Sequence, residues 1–227
     1  MTGHSVIIPV LNGSRFIGEA LRSALPQLEA DDEVLVVDNG STDDTLSVVR
    51  AVGDPRIAVL HQPKAGPAAA RNMGIEAARG AFISFLDHDD MWPAGRTAGL
   101  MGSLAGNPEA QSVIGRMQVR FEPGTERLPN YTAFEGRTTD LAFLGPYMFR
   151  AGAVAAVGPF NETMRYGEDV DFLLRARSTV GPPMIWDGDC FIYRRHETNM
   201  TNDRPATNRG ALSVLAQHLA RNVWTGC

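Results

Sequence analysis

Short apolar runs that stop abruptly at polar residues alternate, through the first part of the chain, with stretches whose apolar positions recur at helical spacing. Ser5-Val6-Ile7-Ile8-Pro9-Val10-Leu11 ends at Asn12-Gly13, which predicts a buried strand followed by a turn. From Ser14 onward Phe16, Ile17, Ala20, Leu21, Ala24, Leu25 and Leu28 predict a helix, with Pro26 bending or ending its last turn. Glu33-Val34-Leu35-Val36-Val37-Asp38 is a second strand running into Asn39-Gly40-Ser41. There Ser41 and Asp44 have the spacing of a capping box for a helix reaching about Val52. Ile57 to His61 reads as a third strand, Gly66-Pro67 opens an alanine-rich helix ending near Gly80, and Phe82 to Leu86 is a fourth strand.

The second half has another texture. Val113, Gly115, Met117, Val119 and Phe121 alternate with Ile114, Arg116, Gln118 and Arg120, as in a half-exposed antiparallel strand. Glu122 to Thr139 carries Pro, Gly, Asn and charge without a period and is expected to be a loop or flap. Gly145 to Arg150 reads as a strand, followed by a small-residue helix through Ala156. Gly167-Glu168-Asp169-Val170-Asp171 opens another helix, with acids in its first turn where the macrodipole favours them. Met184 to Tyr193 is strand-like, and Leu212, Leu215, Leu219 and Val223 predict a closing helix.

Strands alternating with helices imply crossover units and an α/β fold with a mainly parallel sheet covered on both faces. Ligands of such sheets bind beyond the carboxyl ends of the strands, which gathers Asn12, Asp38 and Asp87 to Asp90 along one rim. At 227 residues and 44% hydrophobic, the chain supports one sizeable core. The 21 Lys and Arg against 26 Asp and Glu give a net charge of −5, which argues against a nucleic-acid surface. With two cysteines, Cys190 and Cys227, neither a disulfide framework nor a cysteine metal site is expected. No apolar run approaches the roughly 18 residues of a membrane span, so a cytoplasmic protein is expected.

The run Phe82-Ile83-Ser84-Phe85-Leu86-Asp87-His88-Asp89-Asp90 carries the chemistry. Three carboxylates at the mouth of a buried strand repel one another, so a cation is expected among them, with Mg²⁺ or Mn²⁺ the natural candidates and substrate phosphates completing the shell. The competing reading is a solvated acidic loop capping the next helix.

Six segments in order, Ser5 to Asn12, Val36-Val37-Asp38-Asn39-Gly40-Ser41-Thr42-Asp43, Gly66 to Gly74, Leu86 to Asp90, Glu168-Asp169 and Arg195-His196, make the chain resemble the family 2 glycosyltransferases. The family pattern has an acid more often than Asn at position 39 and a small residue at position 88. The resemblance implies a GT-A fold with a nucleotide-binding half, 1–105, and an acceptor-binding half, 106–227. It implies that Pro9, Val10 and Asn12 border the nucleoside and that Asp38 accepts a hydrogen bond from the base. A carboxylate there can accept the imide N–H of uracil or thymine, whereas capping the turn before Gly40-Ser41 is the alternative. Arg71 would approach the base or diphosphate, the alternative being a surface arginine.

By the same resemblance Asp89 and Asp87 form a DxD motif, Asp89 on the metal and Asp87 nearer the ribose. Asp90 is expected to cap the helix after Trp92-Pro93, the alternative being an outer-shell partner of the metal ligands, and His88 to point away. Glu168-Asp169 matches the acidic pair near the acceptor, with Asp169 as catalytic base, against two acids that only favour a helix start and against Asp171 as a weaker candidate. His196 matches a late histidine that closes over the metal or diphosphate; otherwise it is an exposed loop histidine.

The expected function is inverting, metal-dependent transfer of a sugar from a UDP- or TDP-linked donor to an acceptor hydroxyl. Leu11 to Arg15 is too short and too little basic for a nucleotidyltransferase loop, and no G-x-G-x-x-G follows a strand. The Gln-x-x-Arg-Trp motif of the family's processive synthases is absent, so a single transfer is expected. A non-catalytic nucleotide-sugar or glycan-binding module is the rival. The acceptor is not readable, and a homo-oligomer is left open.

Overall fold

The computed structural model describes residues 3–64, 66–127, 129–141, 143–202 and Val214. The helix expected around Leu212 to Val223 lies outside these residues, Val214 apart, as does Cys227.

The first strand, β1 (His4–Val10), is buried at every position. Its alternate side chains enter two different cores. Val6, Ile8 and Val10 pack with α1 (Ile17–Ala24) and with the helix α4 (Arg96–Gly106) on one face. Ile7 faces the other side, toward α3 (Pro67–Ala77). A continuous apolar run is what a parallel strand covered on both faces requires. Strands β2 (Glu33–Asp38), β3 (Ile57–His61) and β4 (Phe82–Phe85) join β1 in parallel in the order β3-β2-β1-β4. Helix α2 (Thr45–Val52) lies against α1.

The second half continues the same sheet. Beyond β4 come β7 (Tyr147–Arg150), β5 (Ser112–Phe121) and the two-residue β6 (Arg137–Thr138), with β8 (Met184–Arg195) also on β5. Helices α6 (Ala151–Val157) and α7 (Glu168–Val180) cover the α3 side. The short α5 (Pro129–Thr132) sits between β5 and β6.

Four local expectations are corrected. The first helix is shorter, starting at Ile17 and giving way to a 3-10 turn at Leu25–Gln27, because Pro26 cannot supply the N–H that would continue the α-helix. The capping box does not form: α2 begins after Asp44, and Ser41 instead accepts the N–H of Asn12 through its hydroxyl. Strand β5 is antiparallel to β6 and β7 but parallel to β8, and its first four residues are buried because β7 and β8 flank them; polar alternation shows only from Arg116. The flap at 122–139 holds α5 and β6, pinned by buried Tyr131 under the Arg195 guanidinium, 4.0 Å from its ring centroid.

Candidate active site

The carboxyl ends of β1, β2 and β4 meet on one rim. Pro9 and Val10 are buried within β1, and the Val10 carbonyl accepts the Asn39 N–H at 2.8 Å. At the surface the rim presents Leu11, 50% exposed, and Asn12. Asn12 has φ 52, in the left-handed region that Asn tolerates better than most residues. Its N–H donates to Ser41 Oγ at 2.9 Å and its Oδ1 accepts the Thr42 N–H at 2.8 Å, so the loops after β1 and β2 are interlocked. Asp38 is buried, and its Oδ1 accepts the Ser41 N–H at 3.0 Å while Oδ2 lies 3.5 Å from His61. The turn-capping role is thus realised, with one oxygen left on the His61 side.

Arg71 is not a surface residue. It is 5% exposed and bridges Glu168 Oε1 at 2.7 Å and Asp87 Oδ1 at 2.8 Å. Burial works against its charge, but Asp87, Glu168 and Asp169 outweigh that and hold the guanidinium firmly protonated. The bridge joins the loop after β4 to the start of α7. There Asp169 is half-buried, its Oδ1 accepting the Val170 N–H at 2.8 Å, and burial followed by the Glu168 charge pushes its carboxyl up to about 7. Asp171 is turned elsewhere and is paired with Arg175 at 2.8 Å.

Asp89 Oδ2 lies 3.0 Å from His196 Nε2. His196 is 3% exposed, so the exposed-loop reading fails; its ring stands 4.5 Å from that of Phe16. The Thr198 N–H reaches Nδ1 at 3.3 Å, and the Asn199 side-chain amide lies 3.1 Å from Nε2, so both ring nitrogens are held in place. Burial opposes ionisation of Asp89, yet the His196 hydrogen bond and the nearby His88 and His196 hold its carboxyl below the usual range. The capping role expected for Asp90 is overturned. Helix α4 starts at Arg96 behind Gly95, whereas Asp90 Oδ1 accepts the Arg194 N–H at 2.8 Å across the sheet. Burial, then the charges of Asp89 and Asp87, push the Asp90 carboxyl well up. His88 does not point away either, because its ring fills the space a side chain at Gly13 would need.

Residues 5–160 match the model of glycosyl transferase family 2. The chain belongs to that family. Among its relatives, the succinoglycan biosynthesis protein ExoU of Rhizobium meliloti (strain 1021) is 38% identical over 193 residues, 75% of this chain and 56% of that protein. The chain therefore spans little more than half of that relative. Among solved structures, S. aureus TarS 1-349 in complex with UDP-GlcNAc superposes with a TM-score of 0.71 at 20% identity, over 89% of this chain and 61% of the other. Glucosyl-3-phosphoglycerate synthase from Mycobacterium tuberculosis, in complex with Mn²⁺, UDP and phosphoglyceric acid, does so at 0.68 and 22%, over 96% and 78%. These likenesses carry the GT-A fold.

In this family 2 chain the rim offers a metal two protein ligands at close range, a carboxylate oxygen of Asp89 and the imidazole of His196, with Asp87 two residues earlier in the same loop and paired with Arg71. No group of three or more such side chains is arranged for a metal among the described residues. The set fits a Mg²⁺ or Mn²⁺ ion that takes its remaining ligands from substrate phosphates and water. Behind His196 a cleft of about 290 Å³ opens between Gly124 to Glu126 of the flap and the segment Arg195 to Asn202. Residues the motifs did not single out are Phe16, packed on His196, and Asn199, whose Oδ1 accepts the His196 N–H at 2.6 Å. The only available signal was the His-x-x-Asn spacing of 196 and 199.

Proposed function

We propose that the chain transfers a sugar from a UDP- or TDP-linked donor to an acceptor hydroxyl, with inversion, metal dependence and a single transfer per encounter. The observation that supports this reading is the run of contacts His196–Asp89 and Asp87–Arg71–Glu168 along one rim, next to Asp169, whose carboxyl is pushed up to about 7. Residues 1–105 hold the nucleotide and 106–227 the acceptor. Asn12 and Asp38 border the base, and Asp87 serves the ribose. A divalent ion held by Asp89 and His196, when bound, neutralises charge on the departing diphosphate. Asp169 takes the proton of the acceptor hydroxyl as that oxygen forms its bond to the anomeric carbon and the bond to the diphosphate oxygen breaks. Glu168 and Arg71 keep Asp169 close to the donor loop. The UDP-GlcNAc and Mn²⁺–UDP complexes of the structural neighbours support the donor and metal classes.

No described helix is long and apolar enough to cross a membrane, and a cytoplasmic location belongs to the proposal. The test is consumption of a panel of nucleotide-diphosphate sugars with Mn²⁺ and with EDTA. UDP- or TDP-sugars should be hydrolysed or transferred only with metal. Tight nucleotide-sugar binding without turnover across donors and acceptors would favour the binding-module reading.

A further inference from the structure

Behind the two proposed metal ligands lies a side chain that reaches Asp89 through its main-chain carbonyl alone. Arg194 is 1% exposed and is held at four points. Its Nε donates to the Asp89 carbonyl at 2.8 Å, Nη2 to Glu19 of α1 at 2.8 Å, and Nη1 to Glu122 at the base of the flap at 3.1 Å. Its main-chain N–H donates to Asp90. Its guanidinium lies 4.7 Å from the Phe16 ring centroid, and the His196 ring packs on that same phenyl. Beyond it, Met91 and Ile192 exchange backbone hydrogen bonds at 3.1 and 2.9 Å, so the loop after β4 is stitched to the end of β8 over three residues.

We propose that Arg194 is the positioning residue of the metal site. A loop ending in three carboxylates tends to splay, and the 3.0 Å approach of Asp89 to His196 needs both chain segments fixed against that repulsion. Arg194 does so from inside. It takes the Asp89 carbonyl, lies two residues before His196, and its charge is met by Glu19 and Glu122. An ammonium, whose three donors sit on a single nitrogen, cannot span the three partners that Nε, Nη1 and Nη2 of the planar fork reach separately. The same contacts join the metal loop to the flap, since the Glu122 N–H also donates to the Arg195 carbonyl at 2.9 Å.

This inference rests on the metal reading of Asp89 and His196, and the experiment separates the two. Calorimetric titration of UDP is run on wild type, Arg194→Lys and Arg194→Met, each with Mn²⁺ and with EDTA. Mn²⁺ electron paramagnetic resonance counts bound metal, and circular dichroism with thermal melting checks the fold. Wild type should bind UDP more tightly with Mn²⁺. Both variants should lose about 10–100-fold in Mn²⁺ affinity in the presence of UDP, with UDP affinity in EDTA unchanged. Arg194→Lys keeps charge in place should the Met variant fold poorly. If wild type is indifferent to metal, the metal reading fails and the role of Arg194 falls with it. If wild type needs metal and a folded variant keeps its Mn²⁺ affinity within about twofold, only the role of Arg194 is overturned.

Discussion

Asp89 and Asp169 are both partly buried, and their neighbours push them in opposite directions. His196 favours the ionised form of Asp89, which the proposed metal role requires, whereas burial and Glu168 raise Asp169 to about 7. If Asp169 is the base, transfer should rise with pH through about 7 as the carboxyl ionises. Asp169→Asn should lower kcat by about 10²–10⁴-fold with donor affinity nearly unchanged. Near wild-type single-turnover rates in that variant would remove the base. Glu168→Gln deletes the charge that raises the Asp169 carboxyl, so the acid limb of its pH profile should move to lower pH; a limb that stays in place would show that Glu168 does not tune the base. At the donor end, Asp89→Ala should abolish the Mn²⁺-dependent part of UDP binding in a folded protein, and equal UDP affinity in Mn²⁺ and EDTA for wild type would contradict the assignment.

At the scale of elements, the site depends on how closely α3 lies on β1. A Cβ at Gly74 would run into Ile7 Cγ2, and three residues earlier on the same helix stands Arg71, the bridge between Asp87 and Glu168. Gly74→Ala should therefore destabilise by about 1–3 kcal/mol through overpacking, despite the better helix propensity of alanine. Urea unfolding measures this; a stabilised variant would mean that the helix can move away freely. The parallel strands β1, β2 and β4 and the rim were legible because a buried strand must be apolar on both faces and then stop; β3, half-exposed at the sheet edge, was legible only from its short apolar run. The partners of Asp90, Ser41 and Arg71 were not. Asp90 meets Arg194 across 104 positions and Ser41 meets Asn12 across 29, so local spacing offered a cap or capping box where tertiary pairing won. The parallel β5–β8 pairing was hidden for the same reason, since alternation reports exposure of a face and not the direction of a neighbour.

The molecule as a whole carries a titration far from the rim. His4, at the start of β1, is fully buried and stacked on Trp92 at 5.9 Å, and neither ring nitrogen has a hydrogen-bond partner among the described residues. Arg96 lies over the same Trp92 ring at 3.7 Å, donating to the carbonyls of Gly145 and Tyr147 at 3.2 and 2.9 Å. Among the described residues none of its hydrogen bonds is to a carboxylate. Burial lowers the Arg96 guanidinium to about 10, and burial with the Arg96 charge lowers the His4 imidazole to about 3. In the unfolded chain that imidazole titrates near its ordinary value of about 6.5. The folded state therefore binds fewer protons than the unfolded state between these values, so the stability owed to a neutral His4 is full above about pH 6.5 and is lost as pH falls toward about 3. The slope for one such group is about 1.4 kcal/mol per pH unit. His4→Phe keeps an aromatic ring on Trp92 and cannot titrate. Between pH 6.5 and 4.5 the wild type should lose up to about 2–3 kcal/mol more than this variant, a difference in which the other carboxylates cancel. Urea titrations of both proteins at several pH values measure it, and parallel curves across that window would mean that His4 takes up its proton in the folded protein as easily as in the unfolded chain.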